Sequence, residues 1–275
     1  ESNGNVDKID ESPGTSFFLP WANDPRTKAR LALGLSHVSA DHINQLRKDF
    51  KGVLNKSLLF LRYVQKVEVR QKGNMLLACN LTRSGGDESE LIVSYEPSGK
   101  VEKWHILRAD AAESAENLCE KYTQLKSLGR KSEITIGLQI YPEPLDEGLL
   151  YAYLPTEQPT GLPLHINADF FPQSDRKKVI FAGNQHQQEW NEMLINAAAV
   201  ELARNLEGLL QMLGDEQLWK VLDKAYELFS QSSNHPTCFN HFWEQLEITA
   251  TEARITRTRD KSIQRPADVF FPVIS

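Results

Sequence analysis

The chain has 275 residues, enough for one large domain or two modest ones, and its 40% hydrophobic and 25% charged content excludes a collagen-like or wholly disordered polymer. Asp and Glu (37) outnumber Lys and Arg (31), and the net charge of -6 argues against a general nucleic-acid-coating role. No run of about 18 apolar residues occurs, so no membrane span is predicted. Three widely spaced cysteines (Cys79, Cys119, Cys238) make neither a disulfide framework nor a zinc pattern. That usage points to a reducing, cytoplasmic compartment. The chain opens on Glu1 without a signal-peptide pattern and reads as an excised piece of a longer protein.

Residues 1–13, rich in Ser, Asn, Asp and Gly, predict a flexible tail, and a short strand is expected at 15–19 before Pro20. A helix is expected from about Asp41. Ser39 caps it, and Ile43, Leu46, Phe50, Val53 and Leu54 recur at helical spacing. Residues 58–61 continue that burial. Val67 and Val69 then alternate with Glu68 and Arg70, Lys72-Gly73-Asn74 turns the chain, and residues 75–81 return. A loop at 84–87 leads to 91–95, which Pro97-Ser98-Gly99 turns into 101–107. Links this short predict antiparallel neighbours, because parallel strands need a crossover.

Residues 110–128 predict a helix stopped by Gly129. Ile134, Ile136, Leu138 and Ile140 alternate along a strand with one buried face. Residues 149–154 are apolar on both faces, as an interior strand is. Leu164, Ile166 and Ala168 alternate again, opposite His165 and Asn167. After a polar loop at 172–185, Trp190, Leu194, Ala198, Leu202, Leu206, Leu209 and Leu213 mark one helix from near Gln187 to Gly214. At about 27 residues it would be about 40 Å long. Further helices are expected at 215–229 and 238–246. The predicted fold class is α+β: a mixed, largely antiparallel sheet packed by helices, with a helical C-terminal third. The expected divisions are a tail (1–13), a sheet region (14–185) and a helical subdomain (186–275) with a strand-like C-terminal segment.

Several segments, in order, carry a resemblance. They are Pro13-Gly14-Thr15-Ser16-Phe17-Phe18-Leu19-Pro20; Leu58-Leu59-Phe60-Leu61-Arg62-Tyr63-Val64 with Val67-Glu68-Val69; residues 149–155 with Thr160-Gly161-Leu162-Pro163-Leu164-His165-Ile166-Asn167-Ala168-Asp169-Phe170; Ser174-Asp175-Arg176-Lys177-Lys178; Glu189-Trp190-Asn191; and Arg265-Pro266-Ala267-Asp268-Val269-Phe270-Phe271-Pro272. Their order resembles the sacsin family of Hsp90-like ATPases, over residues 13–272. The resemblance implies the region after the GHKL-type nucleotide-binding domain, similar to an Hsp90 middle domain. It implies a multidomain parent with chaperone-like or conformational-motor duty, and that domain, protein clients and a second copy of the parent as partners. The Glu, Asn and Asp set and the glycine-rich lid that this superfamily uses for magnesium, catalysis and adenine are not recognisable here. ATP and magnesium therefore belong, on this reading, to the parent's nucleotide-binding domain. No complete active site lies in this chain, and no P-loop or paired-cysteine metal pattern occurs.

The resemblance also implies a loop whose basic residue reaches the ATP γ-phosphate. Arg176 stands at that place, with Lys177 and Lys178 competing. A planar, permanently charged guanidinium suits phosphoryl oxygens, and such a residue is worth roughly 10³–10⁵ in rate in other phosphoryl-transfer enzymes. Hsp90 follows its arginine with glutamate, where this chain has Lys177. The alternative for all three is a solvated basic loop. His165 and Asn167 either position that loop, touch a partner or satisfy backbone groups nearby. His186, His235 and His241 lack metal-ligand spacing, and Cys238 with His241 is too slight a pair for a nucleophile. Arg254, Arg257, Arg259, Lys261 and Arg265 suggest a strand with one charged face, and the interspersed acids argue against nucleic acid as a partner. Two functions follow: a regulatory, catalysis-completing middle region of an Hsp90-like ATPase, or a non-catalytic scaffold or interaction module of a larger multidomain protein, with a link to nucleic acid left open.

Overall fold

The computed structural model describes residues 28–34, 39–71, 73–231 and 236–269. The expected tail at 1–13, the strand at 15–19, Lys72, His235 and the last residues of the 265–272 segment lie outside them. The chain divides into two units, 1–52 and 53–275. In the first, a short helix α1 (Lys28–Ala32) precedes α2 (Ala40–Ser57), which runs on into the second unit. Ser39 caps α2 as its sequence predicts: the His42 N–H donates to Ser39 Oγ at 3.3 Å. Most of the expected apolar stripe is not buried. Leu46 and Phe50 are each 48% exposed, and burial starts at Leu54.

In the second unit, β1 (Lys66–Gln71), β2 (Asn74–Ser84), β3 (Glu90–Glu96) and β4 (Lys100–Asp110) form the expected antiparallel meander. The helix expected at 110–128 is two, α3 (Ala112–Lys121) and α4 (Thr123–Leu128). Tyr122 between them is extended, and its hydroxyl donates to Glu189 at 2.9 Å. A tertiary hydrogen bond thus overrides local helix propensity. Gly129, with φ of 58°, ends α4 as expected.

β5 (Glu133–Tyr141), β6 (Leu149–Ala152), β7 (Leu154–Pro159) and β8 (His165–Ala168) complete an eight-stranded sheet of order β1-β2-β3-β4-β5-β8-β6-β7. The β6–β8 pairing is parallel and the others are antiparallel, so the sheet is mixed. The strand expected at 149–154 is interior only through Ala152. Tyr153, with φ of 66°, reverses the chain into the edge strand β7.

The C-terminal third is helical: α5 (Gln185–Arg204), α6 (Leu206–Leu213), α7 (Asp215–Gln231) and α8 (Thr237–Glu252), followed by a two-stranded ribbon of β9 (Thr256–Arg257) and β10 (Ile263–Gln264). The single long helix expected after Gln187 breaks at Asn205. Its side-chain amide donates to the Glu201 carbonyl at 2.9 Å and to the Glu201 carboxylate at 2.8 Å. Such local side-chain bonds compete with the helical ladder.

Alternation along the strands sends two sets of side chains to opposite faces. On one, Ile134, Ile136, Leu138, Leu150, Ile166 and Ala168 join Trp190, Leu194 and Ala198 of α5 and, beyond them, Leu218, Phe239 and Phe242. That cluster crosses residue 185, so the sheet and the helical third share one core rather than dividing at the expected boundary. On the other face, Leu54, Leu58 and Leu59 pack on Leu77, Cys79, Leu91, Val93 and Trp104. His165, Asn167 and Tyr151 lie on this second side, where the His165 ring stacks on Trp104 and meets Tyr151 edge-on.

Candidate functional site

The basic loop is a hairpin with a locked base. Pro172 and Val179 bridge antiparallel, Gln173 N–H donates to the Lys178 carbonyl at 2.8 Å, and Ile180 N–H donates to the Phe171 carbonyl at 3.0 Å. Asn191 of α5 fastens both arms. Its Oδ1 accepts from Phe171 N–H at 2.8 Å, and its Nδ2 donates to the carbonyls of Phe171 (3.0 Å) and Ile180 (2.7 Å). Asn191 is fully buried, so these bonds are shielded from competing water. Its neighbour Trp190 donates to the Asp169 carbonyl at 3.0 Å, just before the loop. Trp190 and Asn191 therefore moor the loop to the core through α5. In the sequence the Glu189-Trp190-Asn191 run is visible only as one of the segments that carry the family resemblance.

Residues 173–178 are exposed at the tip. Arg176 N–H donates to the Gln173 carbonyl at 2.8 Å, closing a turn in which Arg176 has φ of 59°. Lys177 N–H donates to Asp175 Oδ1 at 3.0 Å, and the Lys177 carbonyl accepts from Glu157 N–H of β7 at 2.7 Å. The tip is thereby tied to the sheet edge. The three basic side chains then part company. Arg176 Nη2 donates to the Ala152 carbonyl at 3.2 Å, so this side chain is not simply solvated. Lys177 Nζ lies 3.1 Å from Glu157 Oε1, an exposed and therefore weak pair. Lys178 has no side-chain partner among the described residues.

His165 and Asn167 satisfy backbone groups beside this loop. His165 Nδ1 accepts from Leu149 N–H at 2.8 Å, and Asn167 Oδ1 accepts from Tyr153 N–H at 3.0 Å. Burial, with the Lys56 charge second, pushes the His165 imidazole down to about 3, so the ring is neutral with its Nδ1 lone pair free to accept. Asn167 and Arg176 thus grip the same peptide group, one at its N–H and the other at its C=O. Beside them a groove of about 1150 Å³ has Arg62, Tyr63, Arg83, Lys131, Tyr153 and Asn167 among its walls.

Other candidates are not gathered into a site. Burial pushes the thiols of Cys79 and Cys238 up to about 11 and about 12, which keeps them protonated near neutral pH. His241 is exposed and 3.7 Å from Glu244. Among the described residues, no three His, Cys, Asp or Glu side chains cluster as metal ligands would. In the basic C-terminal stretch, Arg257 pairs with Asp215 at 3.1 Å, and Arg265 pairs with Glu252 and Asp268. Those arginines are engaged internally. No helix among the described residues is long and apolar enough to cross a membrane. No protein-family model, curated protein or solved structure matches this chain.

Proposed function

We propose that the chain is the middle, regulatory region of an Hsp90-like, sacsin-like ATPase. In this reading the 172–179 hairpin offers a cation to the γ-phosphate of ATP held by the nucleotide-binding domain of the same parent protein, and couples hydrolysis to conformational change or partner binding. ATP and magnesium belong to that domain. The observation that carries the reading is the moored hairpin: three consecutive basic residues on an exposed tip whose base is fixed by buried Asn191. Charge stabilisation of a transition state works best from groups already in place, because no reorganisation is then needed when charge develops.

The contacts rank the three residues. Lys178 has no side-chain partner among the described residues, and Arg176 is held by one bond to a neutral carbonyl, which a phosphate oxygen can outbid with a charge-assisted one. Lys177 is occupied by Glu157. In the parent protein, Arg176→Ala or Lys178→Ala is expected to lower turnover by tens of fold while changing ATP affinity far less. That split follows if the cation meets the phosphate mainly in the transition state. Unchanged turnover in Arg176→Ala, Lys177→Ala and Lys178→Ala alike removes the loop from catalysis and leaves the scaffold or interaction-module reading in its place.

A further inference from the structure

The peptide group between Ala152 and Tyr153 is held at both ends by side chains from two other segments. Arg176 Nη2 donates to its carbonyl from the basic hairpin, at 3.2 Å, and Asn167 Oδ1 accepts its N–H from β8, at 3.0 Å. The gripped peptide forms the reversal between β6 and the edge strand β7, where Tyr153 takes a φ of 66° that a non-glycine residue adopts only when its surroundings hold it there. Tyr153 and Asn167 both border the 1150 Å³ groove. The two bonds are not independent. A cation on a carbonyl oxygen polarises the amide, which makes the same group's N–H a stronger donor.

From this geometry we infer that Arg176 is an oxyanion-releasable latch on the β6–β7 turn. Its guanidinium can serve Ala152 or a phosphate-like ligand at the hairpin tip. Capture of the anion lets go of the carbonyl, weakens the Asn167 grip on Tyr153 N–H, and loosens the turn at the groove wall. The hairpin and the groove become linked sites, with ligand on one altering the other. This inference rests on the proposed function only in taking a phosphate as the rival partner; it needs no ATP turnover.

Amide hydrogen exchange on the 275-residue chain reads the latch directly. Arg176→Ala is expected to speed exchange at Tyr153 roughly fivefold to tenfold, about what one hydrogen bond is worth, while the Ile166 amide of β8 stays as it was. Adding tripolyphosphate to the unaltered chain is expected to shift the 174–178 amides and speed Tyr153 exchange to a similar degree. In Arg176→Ala, tripolyphosphate adds nothing further at Tyr153. The inference is overturned by unchanged Tyr153 exchange in Arg176→Ala, by a response of the hairpin that never reaches Tyr153, or by no response to tripolyphosphate at all. Turnover of the parent protein stays a separate measurement: if it is intact in Arg176→Ala, Lys177→Ala and Lys178→Ala alike while Tyr153 exchange rises in Arg176→Ala, the latch stands and the ATPase reading fails.

Discussion

Gly148 illustrates how much one atom decides at the scale of residues. The Asp146-Glu147-Gly148 run looks in sequence like an ordinary turn between strands. In the fold, Gly148 N–H donates to the Leu162 carbonyl at 2.7 Å, and its own carbonyl accepts from Thr160 N–H at 3.0 Å. A Cβ placed there would lie 1.6 Å from the Leu164 carbonyl oxygen, so the backbone itself would have to move. Gly148→Ala is accordingly expected to cost about 3 kcal/mol or more, at the upper end of overpacking penalties. Chemical denaturation checks this; a loss under about 1 kcal/mol would mean that the 160–164 segment yields easily. The basic residues of the hairpin show the same limit on reading residues singly. Their exposure and clustering are legible in Ser174-Asp175-Arg176-Lys177-Lys178, but Arg176 finds its acceptor 24 positions away in sequence. Asn191 was legible only as a letter in a motif, because its three bonds join backbone groups that only the folded chain brings together.

Among elements, legibility follows the range of the interactions that set each boundary. The meander β1–β4 is fixed by alternation and by short turns, both local, and it forms where the pattern places it. The breaks at Tyr122 and Asn205 and the reversal at Tyr153 interrupt segments whose periodicity runs straight through them. Tyr122 and Tyr153 are each held by a side chain from another segment, Glu189 and Asn167 respectively. The apolar stripe of α2 shows the remaining gap, since periodicity identifies a face without saying what covers it. From spacing alone Leu46 and Leu58 belong to one continuous buried run. In the structure Leu46 is 48% exposed and Leu58 is 1% exposed in the core beneath the meander. Leu58→Ala is therefore expected to cost about 2–5 kcal/mol, and Leu46→Ala no more than about 1 kcal/mol. Equal losses in urea denaturation would restore the single-stripe reading.

For the molecule as a whole, the fold class was legible because its two signals, period two and then period near 3.6, occupy different stretches of chain. The division of the chain was not, because α5 lays its apolar face on the sheet and merges what composition separates. The consequence is a sheet buried on both faces, with a buried histidine on each of two strands that flank β5, His105 on β4 and His165 on β8. Burial pushes the His165 ring down to about 3, with the Lys56 charge adding to it, and burial also lowers His105, opposed by Glu90. The His165 ring is thus neutral in the fold at pH values where the unfolded chain, near the ordinary 6.5, takes up protons. A depressed folded value means stability that is fully present above about pH 6.5 and is lost as pH falls toward the folded value. By pH 5 His165 alone is expected to withdraw about 2 kcal/mol, at 1.36 kcal/mol per unit. Carboxylates held low, such as Glu68 by Lys66 and Arg70 or Glu189 by Lys121, lose their share only below about 4.5, outside that window. Denaturation at pH 7 and pH 5 should therefore show a drop in the native chain. His165→Gln, which keeps an acceptor for Leu149 N–H, should start less stable but fall less steeply. A native chain equally stable at both values, or a variant with the same slope, would mean that the His165 ring takes up its proton without leaving the fold.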